Sequence, residues 1–163
     1  MSTCPELHQA LHILFEELVD GTPPRGGYML NGDDPGLLAS LDRLSADAAS
    51  RSVDGGATIA AHVEHVAYGL SLMNRWAGGE PNPFATADWS AAWRTSTVDG
   101  QRWQQLRANL RREVERWAEA IARPRELTDV ERCGMIGSVA HLAYHIGAIR
   151  QIAAGARGPK QPA

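Results

Sequence analysis

All six histidines of the chain fall into helix-spaced pairs: His8 with His12, His62 with His65, and His141 with His145. Residues three or four apart share one face of an α-helix, so each pair can aim two imidazoles at one point. Six histidines scattered at random over a chain of this length give an i,i+4 pair in roughly one sequence in five, by counting matches to the template. This chain has two such pairs and an i,i+3 pair besides. The chemistry that suits this spacing is metal ligation. A divalent ion such as Zn²⁺ takes neutral imidazole nitrogens at about 2.0–2.1 Å, and one helical turn separates two of them suitably.

Each pair also has an ordinary explanation. His141 and His145 flank the apolar stripe of the last helix, where both rings can turn inward. HxxxH lacks the adjacent glutamate of HExxH, so spacing alone does not separate two ligands from two boundary histidines with unrelated hydrogen bonds. His65 shares a helical face with Gly69, Leu72 and Trp76, and Gly69 leaves space above it. His62 lies nearer the main apolar stripe, and helical geometry does not choose between the two. Whichever is not in the site is expected to be a core-edge histidine holding a carbonyl or a water. His8 and His12 flank Leu11 and Phe15 and read as partly exposed residues of a polar face that could still line a pocket.

The elements that would position these residues are helices. Thr3 and Glu6 fit a capping box, and Leu7, Leu11, Leu14, Phe15 and Leu18 recur at helical spacing until Gly21, which predicts a helix over about 4–20. Residues 21–34 are a Gly- and Pro-rich loop, and Asp34 with Pro35 signals a shorter helix that ends near Ser50. Thr58 caps a long helix whose stripe is Ile59, Val63, Val66, Leu70, Met73 and Ala77, ended by Gly78 and Gly79. Residues 80–98 read as a loop with one or two helical turns lying over the other helices, with Trp89 and Trp93 four apart. Asp99 opens a helix with Trp103, Leu106, Leu110, Val114, Trp117 and Ile121 inward, stopped by Pro124, and the last helix is expected from about Met135 to Ala154. The tail beyond Gly155 is expected to fray. With no strand and no repeat, this pattern predicts an all-α fold: an antiparallel four-helix bundle with an extra short helix in the first connection, in which sites are built from facing helices.

Bulk properties exclude several classes of function. The 163 residues suit a single domain, 1–163, and 44% hydrophobic with 21% charged residues is an ordinary globular balance. A net charge of -3, with no stretch of Lys or Arg interleaved with aromatics, argues against nucleic acid as a partner. Met1 to Pro5 lacks the positive start of a signal peptide, and no apolar run reaches the ~18 residues of a membrane span, so a cytoplasmic protein with no membrane partner is expected. Cys4 and Cys133 read as free thiols.

Two motifs together resemble the DinB/YfiT-like metalloenzyme family. In Thr58-Ile-Ala-Ala-His-Val-Glu-His65, a Ser or Thr and an Ile open the helix and a histidine follows seven residues after Thr58. In the last helix, His141-Leu-Ala-Tyr-His145-Ile-Gly147 fits the family's paired histidines, with Ala148 where glutamine is common. The resemblance covers roughly 58–153 by motif and the whole chain by helix order, with a first connection longer than the pattern requires. It implies a three-histidine site of His65, His141 and His145 holding a divalent ion, zinc or nickel, in a four-helix bundle. It also implies thiol chemistry: relatives transfer a small cellular thiol such as mycothiol or bacillithiol, or use one in an isomerisation.

Three neutral ligands leave a position for water or a small-molecule substrate, as in catalytic metal sites. The expectation is metal-assisted transfer of a small thiol to an electrophile, with a metal-dependent hydrolase, or a non-catalytic metal- or ligand-binding bundle, as alternatives. Glu113, near the inward stripe of its helix, is a candidate to orient a ligand imidazole. His62 is a candidate for the same surroundings, and Tyr144, Tyr68, Trp76, Trp89 and Trp93 for the pocket mouth. A homodimer is expected, because Trp89 and Trp93 lie in an irregular segment that one copy alone need not cover. The alternative is that they fold down as a lid on their own subunit.

Overall fold

The computed structural model describes residues 5–153. Thr3 and Cys4, and the tail from Ala154 onward, lie outside the described residues. The elements are α1 (Pro5–Asp20), α2 (Gly36–Asp42), α3 (Ala46–Ala49), α4 (Ile59–Ala77), a 3-10 turn (Ala91–Trp93), α5 (Gly100–Ala122) and α6 (Asp129–Ile152). Among the described residues there is no strand, and no helix is long and apolar enough to cross a membrane.

Caps set most of the helix starts. The Thr58 hydroxyl accepts from the Ala61 N–H, and the Asp99 carboxylate from the Arg102 N–H at 2.7 Å. Each satisfies one of the first-turn donors that a helix leaves unpaired. α6 begins at Asp129, six residues before the expected Met135, because Thr128 and Glu131 close a reciprocal capping box. The short helix of the first connection is two pieces, since Ser45 caps a new start at α3. Gly36 opens α2 at φ +74, and a Cβ there would stand 2.5 Å from the Val19 carbonyl oxygen. α2 therefore starts hard against the end of α1.

The four long helices bury one continuous apolar interior. Phe15 and Leu18 of α1, Ile59 and Val63 of α4, Leu110 and Trp117 of α5, and Leu142 and Ile149 of α6 are all but sealed from solvent. Both buried indoles keep their N–H satisfied: Trp117 donates to Ser138 Oγ at 2.9 Å and Trp103 to the Leu44 carbonyl at 2.8 Å. α4 packs on α5 and α6, and α1 packs on the same two helices.

The helix directions depart from a uniformly antiparallel arrangement. On α4 and α5, Glu64 pairs with Arg102 and Asn74 with Glu113, so residue numbers rise together and the two helices run parallel. α4 and α6 are antiparallel, since His62 meets His145 and His65 meets His141. α1 is antiparallel to α5, with His8 beside Ile121 and Asp20 in the field of Arg111. α5 can run in the same direction as α4 only if the connection climbs back along the 19 residues of α4, about 28 Å at 1.5 Å per residue. Residues 78–99 are that crossover. It is tied down by the Asp88 N–H donating to the Tyr68 hydroxyl at 3.0 Å and by Thr95 donating to Glu64.

Candidate metal centre

Three imidazoles converge between α4 and α6. His141 Nε2 lies 2.9 Å from His145 Nε2 and 3.3 Å from His65 Nε2, and the three nitrogens all lie within 4.8 Å of one another. Two nitrogens bound tetrahedrally to one ion at about 2.0–2.1 Å stand about 3.3 Å apart. The donor set fits a single cation. His65 and His145 are buried while His141 is exposed on its outer edge, so one side of the cluster opens to solvent. Among the described residues no carboxylate or thiol joins the group.

The electrostatics favour ligation. Burial pulls the His145 imidazole down to about 3, with His141, His62 and His65 adding to the effect. Burial, then His141 and His62, pulls His65 down to about 4. Burial also lowers His62 and His141. All four rings are therefore neutral at physiological pH, the form that presents a lone pair to a metal.

His62 is placed behind the cluster. Its Nδ1 is 2.8 Å from His145 Nδ1, and both rings are buried. With an ion on His145 Nε2, the His145 proton would sit on Nδ1 and be donated to His62 Nδ1, 2.8 Å away, the tautomer that gives Nε2 to the metal. His65 is held differently. Its Nδ1 is buried with no hydrogen-bond partner, and its ring stacks on Trp93 with centroids 4.2 Å apart. Trp93 also meets His62 edge-on at 5.3 Å, Trp89 lies 5.8 Å from His65, and the exposed Tyr144 meets His145 edge-on at 5.1 Å. Trp89 and Trp93 thus face the histidines of their own subunit while remaining 40% and 38% exposed.

Two expected residues stand elsewhere. Glu113 is buried, but its carboxylate accepts from Asn74 Nδ2 at 2.8 Å and faces Arg112 and Arg116, and no imidazole is among its partners. The reason is axial: Asn74 lies nine residues beyond His65 along α4, about 13 Å at the helical rise. Asn74 was readable in the sequence, since it continues the Val63, Val66, Leu70 stripe by one turn as a lone polar residue. Trp76 packs on Phe84 at 5.8 Å, beside Gly134 and away from the histidines.

The first histidine pair is structural. His8 is 1% exposed rather than on a polar face, with Nδ1 2.8 Å from the Ile121 carbonyl and Nε2 accepting from the Arg125 N–H at 3.3 Å. It satisfies a carbonyl that the end of α5 would otherwise leave unpaired. His12 pairs with Glu16 at 3.2 Å and lines a separate hollow between α1 and α5.

The sequence model of the DinB superfamily matches residues 35–149, well over half of the chain and the whole of the histidine cluster. No curated protein and no solved structure matches the chain significantly.

Proposed function

The chain belongs to the DinB superfamily, and from that premise we propose that it is a metal-dependent enzyme that joins a small cellular thiol to an electrophile. The ligands are Nε2 of His65, His141 and His145. The observation that carries this reading is their convergence within 4.8 Å, with each ring neutral. The four long helices are read as a four-helix bundle whose site lies between α4 and α6.

A divalent ion held by three neutral ligands keeps its full charge and supplies a Lewis acid that favours the thiolate form of a thiol at neutral pH. The rest is done by the chain. His62 holds the ring of His145, Trp93 covers one face of His65 and limits water there, and the exposed edge of His141 leaves an approach for the reactants. In the transfer, sulfur bonds to the electrophilic carbon, the leaving group departs with its electron pair, and the thiol proton passes to solvent. Such a reaction suits the cytoplasm, where thiols are kept reduced.

We further propose that the protein self-associates through the outer face of α6. From Cys133 to Gly147 every exposed residue of that helix is uncharged, with Ile136 at 50% and Tyr144 at 70% exposure the largest. The uncharged strip of Ile136, Ala140 and Tyr144, to one side of His141, calls for cover that leaves the His141 edge open.

The test is elemental analysis of protein purified without a histidine tag, together with thiol conjugation assays on a panel of electrophiles. One divalent ion per chain and metal-dependent conjugation are expected, and both are lost when His65, His141 and His145 are all replaced by Ala. An unchanged metal content in that triple variant overturns the site. Turnover that proceeds equally without thiol overturns the transfer.

A further inference from the structure

Beside the histidines lies a cleft of about 210 Å³ between α4 and α6, roofed by the crossover. Leu70, Met73, Phe84, Trp89 and Leu142 line it, and His141 forms the wall it shares with the metal centre. No charged side chain lines it. Its other polar side chain, Ser138, is already occupied, donating to the Met135 carbonyl and accepting from Trp117.

Three helix-interior glycines also line this cleft: Gly69, Gly134 and Gly137. None has positive φ, so the backbone freedom of glycine is not what places them there. Glycine inside a helix is destabilising relative to alanine. What they supply is volume. A Cβ on Gly134 would strike Trp76 at 2.8 Å. A Cβ on Gly69 would lie 3.7 Å from Trp89 and 4.0 Å from His141 Cε1, and one on Gly137 would meet nothing within 4 Å. The last two positions leave open the space next to the cluster.

Resting on the metal-dependent transfer reading, we propose that this cleft seats the apolar portion of the electrophile, an uncharged single ring or short aliphatic group. Size and polarity both point there. A dry apolar cavity of about 150 Å³ accepts benzene, so about 210 Å³ takes a ring with one short substituent. A carboxylate or ammonium seated against these walls away from the metal centre would give up hydration and find no partner among the lining side chains.

The test uses the full chain loaded with zinc and the probe 4-fluorotoluene, with binding read by fluorine NMR. Measurable binding is expected, and on the same chain freed of zinc, where no metal can take the carboxylate, 4-fluorobenzoate should bind at least about tenfold more weakly. Gly137→Leu, whose Cβ meets nothing within 4 Å, sets a bulky side chain at the cleft and should abolish binding. Gly69→Ala, whose methyl makes only ordinary contacts, should weaken it about fourfold, the worth of one methyl-sized contact. Equal affinity of the zinc-free chain for 4-fluorobenzoate and 4-fluorotoluene, or binding unaffected by both substitutions, overturns the proposal. Zinc titration of the same samples keeps the two readings apart. Zinc bound without 4-fluorotoluene overturns the cleft assignment alone, whereas 4-fluorotoluene bound by a chain that takes no zinc supports the cleft and overturns the metal centre.

Discussion

His62 Nδ1 stands 2.8 Å from His145 Nδ1, while His145 Nε2 faces His141 Nε2 at 2.9 Å. One imidazole therefore has a ring edge on each of two neighbours, and with an ion on its Nε2 the histidine behind it would accept the Nδ1 proton. Loss of such an outer partner typically weakens metal binding about 10–100-fold. His62→Ala should fall in that range in a chelator competition titration with zinc, and His65→Ala should lose more. Equal losses would make His62 a ligand in its own right.

Stability in the absence of metal should fall on mild acidification. His65 and His145 are lowered from 6.5 to about 4 and about 3 in the folded chain. Above pH 6.5 both are neutral folded or unfolded, and their contribution is fully present. As pH drops below 6.5 the unfolded chain binds protons that the folded chain refuses, so stability is lost until pH passes the folded values. The slope is at most about 1.4 kcal/mol per pH unit for each histidine. Urea unfolding between pH 6.5 and 5, where most carboxylates are still ionised, reads it; a flat profile contradicts the neutral cluster.

Asn74 and Glu113 should matter to the fold and not to the metal. Asn74→Ala leaves the buried Glu113 carboxylate and carbonyl without the amide that now donates to both. A loss of about 1–3 kcal/mol is expected on thermal or urea unfolding, with metal content unchanged. Loss of bound metal at unchanged stability would return Glu113 to the site.

Association is read by sedimentation at micromolar concentration. A mass near twice the 17.6 kDa of the chain is expected, and Ile136→Glu, which sets a charge on the outer face of α6, should return it to monomer. A single species of 17.6 kDa at all loadings ends the dimer proposal.

Much of this was legible in the residues themselves. Thr58 and Asp99 announce their helices because capping is local chemistry, and the histidine spacing announces a shared face. Thr128 and Glu131 carried the same kind of signal, overshadowed by the Gly and Cys that interrupt the apolar pattern after them. The choice between His62 and His65 was not legible from the helix alone, since the structure buries both and their roles depend on which end of His145 each meets. Nor was the direction of α5, because a connection of that length permits either sense. Glu113 was misplaced because a stripe shows which way a side chain points and not how far along the axis its neighbour lies.

The crossover that parallel α4 and α5 require has a consequence for how the protein can change. Residues 78–99 deliver Phe84, Trp89 and Trp93 to the cleft and the histidines, yet they lie outside the four long helices and bury little of their own. The roof of the cleft is thus written apart from the scaffold, whereas its walls, with Gly69 and Gly137, belong to α4 and α6. Variation in the crossover can retune which molecules reach the histidines while α1, α4, α5 and α6 keep their packing, which makes this segment the natural cassette for grafting and directed evolution.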